Sequence, residues 1–132
     1  MIGVSFERLG RIPVARPRGD IDAATACDLR ERLAEQMSNK APGIVLDLSE
    51  TRYVDSAGLD MLFRFSELLH QRRAELVLVI PPTSQLVRLG QLVGLYSAMP
   101  VRASLEEALS APALARAAQA PDASACSVPR AG

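Results

Sequence analysis

Two runs near the start of the chain alternate weakly between apolar and polar residues: 2–8 (IGVSFER) and 12–16 (IPVAR). With Leu9, Gly10 and Arg11 between them they predict a hairpin. Pro13 and Pro17 have no N–H to give to a neighbouring strand, which places this pair toward a sheet edge or ends it early. Asp22 then suits the N-cap of a helix over about 23–37, in which Ala26, Leu29, Leu33 and Met37 fall near helical spacing. Asp28 and Arg32 are four apart and suited to pair on the other face. NKAPG (39–43) reads as a loop. IVLDL (44–48) is a short apolar run of the kind a buried strand needs.

The pattern turns helical again from about 57 to 73, with Gln71, Arg72 and Arg73 at an end that favours cations. Leu59, Leu62, Phe63 and Leu69 form one apolar stripe, facing the sheet. Met61, Phe65 and Leu68 form a second, read as packing on a neighbouring helix. ELVLVI (75–80) is a second buried strand, stopped by Pro81 and Pro82. Pro82 suits the first turn of a helix through about Val93, and Gly94 its C-terminal cap. SAMPVR (97–102) predicts a short last strand. SLEE (104–107) is a capping box opening a helix to about 118.

The resulting order, β-β-α-β-α-β-α-β-α, implies an α/β fold with a largely parallel sheet and crossover helices. Residues 1–118 form one domain. Residues 119–132 (QAPDASACSVPRAG) carry few large apolar groups and predict a disordered tail.

Composition narrows the function. The formal net charge is zero, and fourteen Arg and one Lys are spread along the chain, so nothing global points to nucleic acid or an anionic membrane. No stretch approaches the roughly 20 apolar residues of a membrane helix, and the N-terminus lacks a signal-peptide pattern. Cys27 and Cys126 lie far apart without metal spacing and read as reduced thiols of a cytoplasmic protein. One His and two distant Cys supply no metal ligand set, and no phosphate-binding glycine motif is present. No metal or cofactor is expected.

One hydroxyl stands out. In YVDSAGLDML (53–62) Ser56 sits between a strand-like and a helix-like run. As a nucleophile it needs a base, and the only histidine, His70, is fourteen residues along the same helix. At about 1.5 Å per residue that is roughly 21 Å, far beyond hydrogen-bond reach. As a helix cap it would contribute about 1 kcal/mol. As a modification site it has a helix N-terminus to receive a phosphate and small neighbours, Ala57 and Gly58, that leave an approach open. Gly58 reads equally well as a close helix–strand contact.

GDIDAATACDL (19–29), IVLDLSETRYVDSAGLDML (44–62) and PPTSQLVRLGQLVGL (81–95) together resemble a STAS domain over about residues 4–110, and more narrowly the bacterial anti-sigma factor antagonists. D-S-x-G-L after a buried strand is the most specific segment, and GDID the second. The resemblance implies a STAS-like mixed, mostly parallel sheet of four to five strands with about four helices. It implies a non-enzymatic protein that binds an anti-sigma factor, itself a serine kinase of the histidine-kinase-like ATPase class, and so frees a sigma factor. Phosphorylation on the serine after the aspartate, here Ser56, switches it off, and a PP2C-type phosphatase restores it. Asp22, Asp55, Ala57 and Gly58 then shape the kinase-binding surface. Ala57 departs from the Ser or Thr common at that position, and Pro17 and Arg18 interrupt a strand that usually continues. The same family also supplies non-switching scaffold subunits of stress-sensing and ABC transport complexes, the alternative reading. A serine hydrolase ranks below both.

Overall fold

The computed structural model describes residues 2–37, 41–111 and 114. In chain order they form β1 (Gly3–Leu9), β2 (Ile12–Ile21), α1 (Ala26–Gln36), β3 (Gly43–Asp47), β4 (Thr51–Val54), α2 (Ser56–Gln71), β5 (Glu75–Val79), α3 (Leu86–Leu92), α4 (Leu95–Ala98), β6 (Val101–Arg102) and α5 (Leu105–Leu109). The sheet order is β1-β2-β3-β5-β6, with β4 attached to β2. The β1–β2 hairpin is antiparallel and every other pairing is parallel. This is the mixed, mostly parallel α/β fold expected, with one strand, β4, that the apolar pattern does not reveal.

The apolar runs occupy the middle of the sheet because both of its faces are covered. Ile44, Leu46, Leu48, Leu76, Leu78 and Ile80 point to the face that packs on α1 and α2, beside Leu29, Leu33, Leu62 and Phe65. The alternate residues Val45, Val77 and Val79 point the other way, with Ile12, Val14, Ala108 and Leu114. Large leucines thus meet the broad helical layer, and slimmer valines meet α5.

β2 is the strand that organises the functional end. Its first half pairs with β3 at Val14 and Ala15. Its second half pairs with β4 at Gly19, Asp20 and Ile21, with a register shift between Gly19 and Asp20. Gly19 has a φ of +96°, which a residue without Cβ adopts freely, so the bulge turns the strand from one partner to the other. Pro17 does not end the strand: it pairs with Val4 on the edge strand β1, and its carbonyl accepts from the buried Thr51 hydroxyl at 3.2 Å.

Several predicted boundaries shift. α1 starts at Ala26 rather than 23, because Asp22 spends its carboxylate on a preceding turn, accepting from the Ala24 and Thr25 amides at 3.0 and 3.1 Å. Asp28 and Arg32 pair at 3.8 Å as expected, and together they hold Ile2: its carbonyl accepts from Arg32 at 2.7 Å. Residues 97–102 are not one strand; 95–98 form α4 and only Val101 and Arg102 pair with β5. Gly94, at φ +75°, follows α3 as predicted. Ser104 accepts from the Glu107 amide at 3.2 Å, one half of the predicted capping box; the Glu107 carboxylate accepts from the Ala103 amide at 3.4 Å instead of from that of Ser104. That helix ends at Leu109, and most of the predicted stretch to 118, the tail 119–132 and Cys126 lie outside the described residues.

One ion pair at the sheet end has its acid buried. Arg16 Nε of β2 donates to Asp47 Oδ2 of β3 at 2.9 Å, and Asp47 Oδ1 accepts from the Ser49 amide at 3.0 Å. Asp47 is 5% exposed. The hydrogen bond to Asp47, followed by the Asp47, Glu7 and Glu50 charges, raises the Arg16 guanidinium above its ordinary value against the opposing effect of burial. Removing one partner of such a pair strands the other. Asp47→Ala is expected to lower the unfolding free energy by about 2–3 kcal/mol, below the roughly 3–5 kcal/mol of a fully buried pair because Arg16 is partly exposed. Urea denaturation measures it, and a loss below about 0.5 kcal/mol would mean that the pair behaves as a surface contact.

Candidate functional site

β2 and β4 run parallel and end side by side, with Ile21 opposite Val54. The next residues in each chain segment are Asp22 and Asp55, so the register alone brings the two predicted acids to one edge. The Asp55 amide donates to the Ile21 carbonyl at 3.1 Å, extending the ladder by one bond. α2 then leaves from this edge.

Ser56 is not the N-cap of α2. Asp55 is: its backbone is extended, its Oδ1 accepts from the Gly58 amide at 2.9 Å, and its carbonyl accepts from the Leu59 amide at 2.9 Å. A carboxylate at the positive end of the helix dipole fits this role better than a hydroxyl. The cap is therefore displaced by one residue from the sequence expectation. Ser56 becomes the first helical residue, and it is exposed. Its side chain is not needed to satisfy the α2 N-terminus.

Gly58 is buried, and its place is set by contact. A Cβ there would lie 2.6 Å from the Ile21 carbonyl oxygen and 2.8 Å from Val54 Cγ1. Of its two readings, the close helix–strand packing is the one this geometry requires. Ala57 and Asp55 are half-buried beside Ser56, and Asp22 is half-buried across the edge. Asp22 Oδ1 is engaged locally, accepting also from the Thr25 hydroxyl at 3.1 Å.

The α2 stripes differ from expectation. Met61, Leu62, Phe65 and Leu69 are buried with Gly58, whereas Leu59, Phe63 and Leu68 are only partly buried. Met61 and Phe65 are thus core residues, and partly buried Leu59 lines a groove with Ser56. His70 is exposed at the far end of α2 and takes no part in the site. Cys27, also exposed, lies on α1.

The sequence reading missed Arg52, Tyr53, Gln85 and Leu89, which line a groove with Ser56. A shallow groove runs from Asp55, Ser56 and Leu59 past Arg52 and Tyr53 to Gln85 and Leu89 of the α3 segment. Tyr53 is 54% exposed. In TRYV, Thr51 and Val54 are buried and the two residues between them are exposed, a pattern too short to mark Tyr53 from the sequence.

The STAS domain model matches residues 4–108. The anti-sigma-B factor antagonist of Listeria monocytogenes is 33% identical over 84 residues, which cover 64% of this chain and 73% of that protein. The crystal structure of an anti-sigma factor antagonist from Mycobacterium paratuberculosis superposes with a TM-score of 0.73 at 27% identity, over 84% of this chain and 93% of that one. The Bacillus cell fate determinant SpoIIAA in its phosphorylated form superposes with a TM-score of 0.58 over 82% of this chain and 97% of that one. At 20% identity this last likeness is one of fold.

The division of roles at the site sets a rank order of stabilities. Gly58→Ala is expected to cost about 2 kcal/mol, because backbone must move to admit the methyl group. Asp55→Ala is expected to cost about 1 kcal/mol as a lost cap. Ser56→Ala should change stability by less than about 0.5 kcal/mol. Thermal or urea unfolding of the three variants reads the order directly; a Ser56→Ala loss equal to that of Asp55→Ala would return the capping role to the serine.

Proposed function

We propose that this chain, which belongs to the STAS domain family, is an anti-sigma factor antagonist switched by phosphorylation on Ser56. In its unmodified form it binds an anti-sigma factor that is also a serine kinase of the histidine-kinase-like ATPase class, and the sigma factor is released. The kinase transfers phosphate to Ser56 and the complex separates. A PP2C-type phosphatase resets it. The chain itself catalyses nothing, and its place is the cytoplasm, where these partners work.

The observation that carries the reading is the exposed Ser56 hydroxyl at the first position of α2, relieved of capping by Asp55. A kinase can reach it without disturbing the fold. A phosphate there adds about −1.5 to −2 charges at the positive end of the helix dipole, which the free chain accommodates. A partner docked over the same spot meets a bulky dianion beside Asp55, and that repulsion acts at the interface. The relatives support the role, being antagonists by name, and the fold itself is known in a phosphorylated state in SpoIIAA.

The test is incubation with each candidate anti-sigma kinase from the same genome and ATP. Phosphate should appear in the peptide 53–64, whose only hydroxyls besides Ser56 belong to Tyr53. Ser56→Ala should take up none and stay bound, while Ser56→Asp should bind at least ~10-fold more weakly, about 1.4 kcal/mol. Both variants binding as the wild type does, with ATP present, would remove the switch.

A further inference from the structure

Three hydrogen bonds hold Asp55 in one place. Its amide donates to the Ile21 carbonyl at 3.1 Å, its carbonyl accepts from the Leu59 amide at 2.9 Å, and its Oδ1 accepts from the Gly58 amide at 2.9 Å. The helix has no slack with which to loosen this grip, because a Cβ on Gly58 would already lie 2.6 Å from the Ile21 carbonyl oxygen. The carboxylate is therefore fixed over the first turn of α2, half-buried beside the exposed Ser56.

That position matters for anything attached to the serine. Helical Cα–Cβ bonds lean toward the N-terminus, so the side chain at the first helical position leans back toward the cap. A phosphate on Ser56 would settle most favourably by folding onto the first-turn amides at the positive end of the dipole. Here a carboxylate already holds the third of those amides. The helix end carries about +0.5 of an elementary charge and the carboxylate −1, so this end has turned negative before a phosphate adds about −1.5 to −2. Asp22, across the edge, has its Oδ1 turned to its own loop. The other charged residue lining the groove with Ser56 and Asp55 is Arg52, which is exposed on β4.

We infer that Asp55 is a positioning residue for the switch: by holding the Gly58 amide with a carboxylate, it keeps a phosphate on Ser56 from folding back onto α2 and leaves it projecting toward a docked partner. The inference rests on the reading of Ser56 as the phosphoacceptor, and it assigns to the neighbouring residue the direction in which the modification acts. A phosphate drawn onto the helix amides would become a second cap, and part of its charge would be neutralised by the fold. One turned away by Asp55 keeps that charge for the interface.

The test places phosphoserine at position 56 during translation, so that no kinase is needed, in the wild-type, Asp55→Ala and Asp55→Asn chains. Melting temperature is the first readout. The phosphate should move that of the wild type by less than about 1 °C, and should raise that of Asp55→Ala by about 3 °C or more as it takes over the vacant cap. Titration of the phosphate by phosphorus NMR is the second. Its midpoint should lie at lower pH in both variants than in the wild type, because no carboxylate then opposes the second ionisation. Asp55→Asn keeps a capping side chain, so this readout survives if Asp55→Ala does not fold. Equal gains in melting temperature in the wild type and Asp55→Ala, or a midpoint that neither substitution moves, would overturn the inference.

Binding to an anti-sigma kinase that captures the unmodified chain separates this inference from the switch itself. Phosphoserine should weaken binding at least ~10-fold in the wild type, and the ratio of affinities without and with phosphate should be several-fold smaller in Asp55→Ala. If phosphoserine leaves wild-type binding unaltered while the melting and titration results come out as expected, Asp55 turns the phosphate outward and the switch is wrong. If wild-type binding falls but the phosphate stabilises both chains alike, the switch stands and the role of Asp55 is wrong.

Discussion

The close approach of α2 to the ends of β2 and β4 determines where everything else at this end of the molecule lies. Gly58 sits where a methyl group would strike the Ile21 carbonyl. Because it has none, the first turn of the helix lies directly against the sheet edge. That contact depends in turn on β2 having changed partners. Only after the bulge at Gly19 does Ile21 stand beside Val54, and only then does the Asp55 amide find the Ile21 carbonyl. A glycine in a bulge and a glycine in a helix, thirty-nine positions apart (58 − 19), fix one serine in space.

Within that frame the two neighbours Asp55 and Ser56 divide the work. The aspartate is half-buried, accepts the Gly58 amide and closes the helix. The serine is exposed and contributes little to stability on this geometry. The separation matters for the proposed switch. A residue that both capped the helix and accepted phosphate would couple modification to fraying of α2. Here the cap is held by the adjacent carboxylate, so adding charge to the serine leaves the α2 packing of Leu62, Phe65 and Leu69 untouched. The effect of a phosphate is then directed outward, to whatever lies against the helix end.

The legible parts of the fold are those where one physical force dominates. β3 and β5 are covered on both faces, so burial writes them as unbroken apolar runs, and their bounds follow. The SLEE cap and Gly94 are local backbone demands and read equally well. β4 was illegible because it has four residues, two of them exposed, and is held by pairing with the far half of β2 rather than by its own pattern. α4 and β6 were merged into one strand because Leu95–Ala98 is too short to show a period, and Pro100 leaves only Val101 and Arg102 to pair. Asp22 was placed as a helix cap because local rules do not distinguish a cap from a turn preceding a helix. At the site, DSAG pointed to the serine, and the family resemblance supplied its meaning. The groove beside it was hidden for the same reason as β4, since Tyr53 and Leu89 are distant in sequence and meet only through the sheet.

The interplay of β4 and α3 has a consequence for how such a surface can be specific. The core beneath Ser56 is built from residues that any chain of this fold must bury, and the helix end above it offers only small side chains and backbone. Neither can distinguish one partner from another. The outer side of α3 carries no such obligation: Arg88 and Leu92 touch neither the sheet nor the cap. Their identity is free to follow a partner without cost to the fold, whereas Gly58 and Asp55 are held by packing and capping. Under the proposed switch, discrimination between partners would fall to exposed positions of that kind, and the serine end, held in one geometry by packing and capping, would carry the on–off decision.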